Sequence, residues 1–171
     1  MKVLVTLFLS LLISLSGLGQ RDSLLNIIET SDNDTTILEA YVALGDPYFR
    51  VQPDSARHFY LKGLKIAEKL DHFIWQANLE NAVGLCYMDQ ESYEEAIAWF
   101  KRSAKKMAKI NTRHGTSMLL NNIGACYNEM QQSSVAMKYF LVAQRIQWDG
   151  TNQDVVMLLE INMGNVYEDL G

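Results

Sequence analysis

Apolar residues recur along this chain at helical spacing, in two kinds of segment that alternate. One kind lies near 73–90, 113–130 and 153–170; in its middle copy Leu119, Ile123, Cys126, Tyr127 and Met130 fall on one face of a helix. The other lies near 53–69, 93–109 and 133–148, where Ala96, Ile97, Phe100, Ala104 and Met107 do the same. The pattern predicts helix pairs, and the pairs repeat. Gly84, Gly124 and Gly164 recur at one fixed interval, and Tyr87, Tyr127 and Tyr167 keep the same interval. In the second helices Ala56, Ala96 and Ala136 keep step, and so do Tyr60, Phe100 and Phe140, each preceded by another aromatic (Phe59, Trp99, Tyr139). Leu79 with Leu119, Asn81 with Asn121 and Cys86 with Cys126 extend the echo. A fixed period in the range of roughly 20–50 residues marks a stacked-repeat architecture.

Local signals agree with the pairs. Ser92-Tyr93-Glu94-Glu95 has the form of a capping box, and Thr151 to Asp154 is a weaker version. Pro53 suits a first helical position, where its missing N–H costs nothing. Asp22 to Thr30 predicts a short leading helix, with a turn at 31–34. Helices pack about 8–10 Å apart; Gly in the first helix and Ala in the second let a pair approach closely, with aromatics filling the space beside them. Gly inside a helix costs roughly 1 kcal/mol relative to Ala, so three in register point to a packing reason. The first unit is irregular: Leu44-Gly45-Asp46-Pro47-Tyr48 lies one residue out of step, and Pro47 should kink or end its helix.

Gly-x-x-Tyr in one helix, followed by Ala and an aromatic four residues later in the next, resembles the tetratricopeptide repeat over residues 34–171. LLNNIGACY at 119–127 is most similar to the longer repeats of the kinesin-light-chain type. The resemblance implies an all-α superhelical solenoid of antiparallel helix pairs. Its units are a leading cap at 20–32, an irregular repeat at 33–72, repeats at 73–112 and 113–152, and the first helix of a fourth at 153–171. There are departures: Glu80, Leu120 and Glu160 stand where the family often has Trp, and Ala108 and Trp148 where a closing Pro is common. The order of leader, DSLL, Pro53-Asp54-Ser55-Ala56 and repeats also resembles the extracytoplasmic region of some bacterial sensor histidine kinases and transcriptional regulators.

The N-terminus changes the picture of composition. Met1-Lys2 precedes the apolar run VLVTLFLSLLISL, with small residues at 17 and 19, which reads as a secretory signal peptide cleaved after Gly19. The run is shorter than the ~20 apolar residues a membrane span needs; an uncleaved anchor is the alternative. Removing it leaves 14 basic against 20 acidic side chains, net −6. The mature chain is expected to be soluble, without membrane insertion, and periplasmic or at the outer face of the cytoplasmic membrane. It has no basic patch for nucleic acid.

Candidate chemistry is sparse. His58, His72 and His114 have no ligand spacing, so neither a metal site nor a cofactor is expected, and no catalytic residue is assigned. Cys86 and Cys126 occupy equivalent places in adjacent units, too far apart for the ~7 Å Cα separation a disulfide allows, and are expected to be buried thiols. Glu94 and Glu95 offset a helix dipole. Lys101, Arg102, Lys105, Lys106 and Lys109 form a basic strip, read as a solvated outer face balanced by Glu91, Glu94 and Glu95.

The first helices hold many asparagines, and an amide both donates and accepts, which suits a peptide backbone. In the resembled family these helices line a concave groove. The resemblance therefore implies a partner-binding groove formed by Asn78, Asn81, Asn121, Asn122, Asn128, Asn162 and Asn165, with Leu85, Met118, Ala125 and Leu158 between them. Alternatively the asparagines are only polar and exposed, or couple neighbouring helices. A Lys/Arg clamp for a terminal carboxylate is not expected, because Arg113 stands alone in those helices.

The last helix is crowded with Val155, Val156, Leu158, Leu159, Ile161, Met163, Val166 and Tyr167. Repeat arrays normally end on a polar cap, so truncation of a longer protein is the favoured expectation, and docking of that helix onto a partner or a second copy is the alternative. The sequence thus predicts a non-enzymatic scaffold for a protein or peptide, or else the sensory part of a signalling protein whose output domain is missing.

Overall fold

The structure, a computed structural model, describes residues 19–147 and 153–170. Residues 1–18 of the proposed leader, Trp148 and the start of the weaker capping box at Thr151 lie outside the described residues. Those residues form α1 (19–30), α2 (Asp34–Gly45), α3 (Pro53–Lys69), α4 (Phe73–Asp89), α5 (Tyr93–Lys109), α6 (Arg113–Glu129), α7 (Ser133–Gln147) and α8 (Gln153–Leu170), with a 3-10 turn at Asp46–Tyr48. The fold is all-α: from α2 onward each helix packs antiparallel on the next, and α6 also touches α8, as in a superhelix of tetratricopeptide-repeat type.

The helices start and stop for local reasons. Asn33 Oδ1 accepts from the backbone N–H of Thr35 at 2.9 Å and Thr36 at 3.1 Å, capping α2. Pro53 opens α3. The Ser92 hydroxyl makes no capping bond to α5, so the expected box is not formed; Glu94 and Glu95 in the first turn supply only their charge. Between α3 and α7 every connection has the same design. Asp71, Glu91, Asn111 and Gln131, evenly spaced along the chain, take positive φ of 50–59°. One residue later the chain bonds back across the helix end: His72 N–H to Ala67 C=O, Ser92 to Tyr87, Thr112 to Met107 and Gln132 to Tyr127, at 2.8–3.1 Å. This left-handed closure is usually given to Gly; here polar residues carry it.

Within each pair an aromatic ring from the second helix lies directly on the glycine of the first. A Cβ on Gly84 would sit 2.7 Å from Phe100 Cε1, and one on Gly124 2.5 Å from Phe140 Cε1. The rings therefore fill the space over the glycine itself, more intimately than the expected packing beside it. Gly45 makes the same contact: its Cβ would fall 2.6 Å from Tyr60 Cε1. The out-of-step first unit is thus regular at its central contact. Gly45 and Tyr60 stand one position closer in sequence than Gly84 and Phe100 do, and the 3-10 turn at Pro47 takes up the difference. The Tyr60 hydroxyl then donates to Asp46 Oδ1 at 2.9 Å. Gly164 has no such ring among the described residues: none of their atoms lies within 4 Å of its Cβ position.

A second contact joins α4 to α5 and α6 to α7. Ser103 Oγ donates to Ala77 C=O at 2.7 Å, and Ser117 Oγ donates to Ala143 C=O at 2.9 Å. These are the same two positions one period apart, with the hydroxyl on opposite helices. Cys86 and Cys126 are buried free thiols in successive cores. Burial pushes Cys86 up from the usual 9.0 to about 11, with Arg57 opposing, and Cys126 to about 12.

Two outcomes follow. Gly84→Ala and Gly124→Ala should each lower unfolding free energy by about 1–3 kcal/mol through overpacking, despite alanine's better helix propensity. Gly164→Ala should raise it by about 0.5–1 kcal/mol. Urea denaturation reads all three, and equal effects would refute the ring-on-glycine contact. The thiols are raised on folding, so their contribution is complete below pH ~9 and drains away as pH rises towards 11–12. Denaturation midpoints should fall across that window, and less steeply in a Cys86→Ala/Cys126→Ala variant; identical slopes would contradict the burial assigned to the thiols.

Candidate functional site

The first helices present one stripe each. Residues 74, 78, 81, 85 and 89 of α4 follow one another at three- and four-residue steps, as do 114, 118, 122, 125 and 129 of α6. Asn122 Nδ2 donates to Asn81 Oδ1 at 3.4 Å across the two helices, and Asn162 Nδ2 donates to Asn121 Oδ1 at 2.8 Å between α6 and α8. Each pair is offset by one position more than the repeat period, so the amides form a ladder that ties successive first helices together. The alternative role, coupling neighbouring helices, is therefore present in the structure.

The expected groove residues separate accordingly. Asn121 is 3% exposed and held by Asn162, which places it inside the stack. Asn128 accepts from Ser133 Oγ at 3.4 Å and lines a polar hollow at the α6–α7 turn with Glu129, Gln131 and Ser133. Asn78 is exposed, Asn81, Leu85, Asn122, Ala125 and Asn162 are half-buried, and Asn165 and Leu158 are exposed on α8. Among the repeat-signature residues, Ala96, Phe100, Ala136 and Phe140 are fully buried. Tyr87 lies half-buried under the Arg57 guanidinium, 4.4 Å from ring centre, and Tyr127 stacks on Tyr139 at 5.4 Å. Gly164 and Tyr167 are exposed, Tyr167 at 60%, and Met157 and Ile161 of the same helix are exposed as well.

Between α4 and α6 the stripe opens into a cleft of about 310 Å³. Its apolar walls are Ile74, Met107, Ile110, Met118 and Leu119; Asn78, Asn81, Thr112 and His114 supply the polar edge. Gly115 makes the room. One period earlier Trp75 stands at its place, and a Cβ on Gly115 would already approach Met107 Sδ to 3.1 Å. Ile74 and Met118 are 51% and 40% exposed at the mouth. At the far end of the same stripes, exposed Asp89 and Glu129 are the last residues of α4 and α6. A carboxylate there opposes the helix dipole, a placement disfavoured by about 0.3–1 kcal/mol. Asn78, Asn81 and Met118 are thus gathered into one furrow; Ile74, Ile110, Thr112 and His114 join them and were not assigned from sequence. For Ile74 and His114 the legible signal was the shared stripe with Asn78 and Met118; Ile110 and Thr112 lie in the α5–α6 connection, off the stripe.

The basic strip on α5 divides. Glu80 is 0% exposed and receives Arg102 Nε at 3.1 Å, Arg102 Nη2 at 3.0 Å and Lys106 Nζ at 2.5 Å, all on Oε1, while Oε2 has no partner. Arg102 also lies over the Trp99 ring at 4.5 Å and reaches Glu68 at 3.8 Å. The expected solvated face is corrected for Lys106, which the buried carboxylate draws inward; Arg102 bonds to the same oxygen while its side chain stays half exposed. Lys101, Lys105 and Lys109 remain exposed.

The tetratricopeptide repeat family model matches residues 75–147, which span α4 to α7 apart from their first two residues; such repeats are typically scaffolds for protein–protein contact. No curated protein matches by sequence. Among solved structures, aspartyl phosphate phosphatase F from Bacillus subtilis superposes with a TM-score of 0.82 at 17% identity, over 89% of this chain and 40% of that one. The apo form of RapI gives 0.78 at 20% identity, over 88% and 55%. A Rap protein complexed with competence and sporulation factor gives 0.71 at 15% identity, over 82% and 40%. The chain thus spans about half or less of these proteins, and likeness at such identities shows the fold.

Truncating Lys106 leaves the Glu80 carboxylate short of a buried partner, so Lys106→Met should cost about 1–3 kcal/mol. Glu80→Leu, which copies the residue at 120, should be neutral or stabilising because desolvating the ions costs as much as their attraction returns. Chemical denaturation of both variants decides it; a Glu80→Leu protein less stable than Lys106→Met would show that the ion cluster itself holds the helices.

Proposed function

We propose that this chain is a non-enzymatic interaction scaffold that holds a peptide or protein segment on the face made by its first helices, outside the cytoplasm. The observation that carries the reading is the α4–α6 furrow, where an open apolar cleft, half-buried amides and exposed carboxylates share two adjacent stripes. Amides at Asn81 and Asn122 leave a donor and an acceptor free after bonding to each other, the complement of a peptide group. The Rap protein found complexed with competence and sporulation factor supports the reading by analogy of fold. The extracytoplasmic placement rests on the basic start and apolar run at the N-terminus.

A photo-crosslinking side chain at Met118, expressed in the host, should capture one or a few protein partners. The same group at Leu141, exposed on second helix α7, should not. N-terminal sequencing of this chain, purified from the host, should begin at Gln20. Equal capture at both positions, or none at either, would refute the groove; an N-terminus at Met1 with cytoplasmic partners would refute the placement.

A further inference from the structure

We infer that the α4–α6 furrow recognises an extended protein segment carrying one bulky uncharged apolar side chain and, about five to seven residues away, a lysine or arginine. The inference rests on the scaffold reading above and names what its groove selects.

Three features lie in line along two parallel helices. Ile74 and Met118 flank the open cleft at the N-terminal end. The Asn81–Asn122 bond crosses the middle. Asp89 and Glu129 stand exposed at the C-terminal end. The cleft's volume, about 310 Å³, is at the bottom of the range of ~300–1,000 Å³ that accommodates whole small molecules. Its walls are apolar and its opening broad, which fits a side chain entering from a longer ligand. The two carboxylates sit where the helix dipoles disfavour them, and a cationic side chain is their complement.

The spacing is fixed by the helices. The step from Asn78 to Asp89 equals that from Met118 to Glu129, about 16 Å of helix, and the step from Ile74 to Asp89 equals that from His114 to Glu129, about 22 Å, at ~1.5 Å per residue. An extended segment covers those lengths in about five to seven residues at roughly 3.3 Å each. Its backbone then passes the free amide donor of Asn81 and acceptor of Asn122.

The probe is a phage-displayed library of random dodecapeptides selected on the full chain. Selected peptides should share a Leu, Ile, Met or Phe about five to seven residues from a Lys or Arg. Ile74→Glu, a change at an exposed position, should weaken them at least tenfold, and Met118→Glu provides a second test should Ile74→Glu fold poorly by circular dichroism. Asp89→Lys/Glu129→Lys should abolish the preference for the basic residue and keep the apolar one. Peptides without that spacing, or binding within twofold to both glutamate variants, would overturn the inference. If such peptides are still weakened by Asn81→Ala/Asn122→Ala, the scaffold reading survives without the anchor. Failure to select any peptide counts against both.

Discussion

The contact between an aromatic ring and a helical glycine sets the geometry on which the rest depends. Phe100 on Gly84 and Phe140 on Gly124 bring the two helices of a unit together at the one place where a methyl group would not fit. Once that distance is set, small residues become obligatory nearby, and Ala96 and Ala136 are fully buried. The hydroxyl–carbonyl bonds of Ser103 and Ser117 have the same origin: side chains this short bridge two backbones only when the backbones are close. A flexible core of larger residues would give comparable burial without a fixed angle, and the first-helix stripes would not line up.

Much of this was legible in the sequence because it repeats. Glycine in the middle of a helix is disfavoured, so its return at a fixed interval opposite an aromatic signals close approach. Gly45 was harder to place, because Pro47 and a register one position short mask the pattern; Tyr60 shows that the contact persists through the shift. The turns were invisible for a different reason. Asp71, Glu91, Asn111 and Gln131 share a backbone conformation and no residue type, and the hydrogen bond that closes each helix is made by the main chain. The failed box at Ser92 is the same lesson reversed: the residues fit a motif, and the closure around Glu91 starts the helix without it.

The site was legible only in part, because chemistry at one position is decided by what stands across from it. Asparagine at 121 and at 122 looks equivalent in one dimension. In the stack, one amide is enclosed between α6 and α8 and the other borders an open furrow. Glu80 and Glu160 likewise occupy equivalent positions, yet Glu80 is buried with Arg102 and Lys106 against it while Glu160 is exposed. Nothing in a single strip of sequence says that two of five cations on α5 will be tied to a buried carboxylate.

The furrow is also local, although the scaffold is periodic. Between α4 and α6 the cleft exists because Gly115 replaces the bulk that Trp75 supplies one period earlier. Between α6 and α8 the corresponding amides close to 2.8 Å, and the exposed residues alongside are Leu158 and Ile161. A repeat protein separates two tasks in this way. Positions that face the partner helix within a unit are constrained to glycine, alanine and aromatics, whereas positions on the stripe are free to differ from unit to unit. Specificity therefore belongs to the departures from the repeat. In this chain the departures at 74, 115 and 118 fall together, and that coincidence opens one interval between first helices, the recognition surface proposed above.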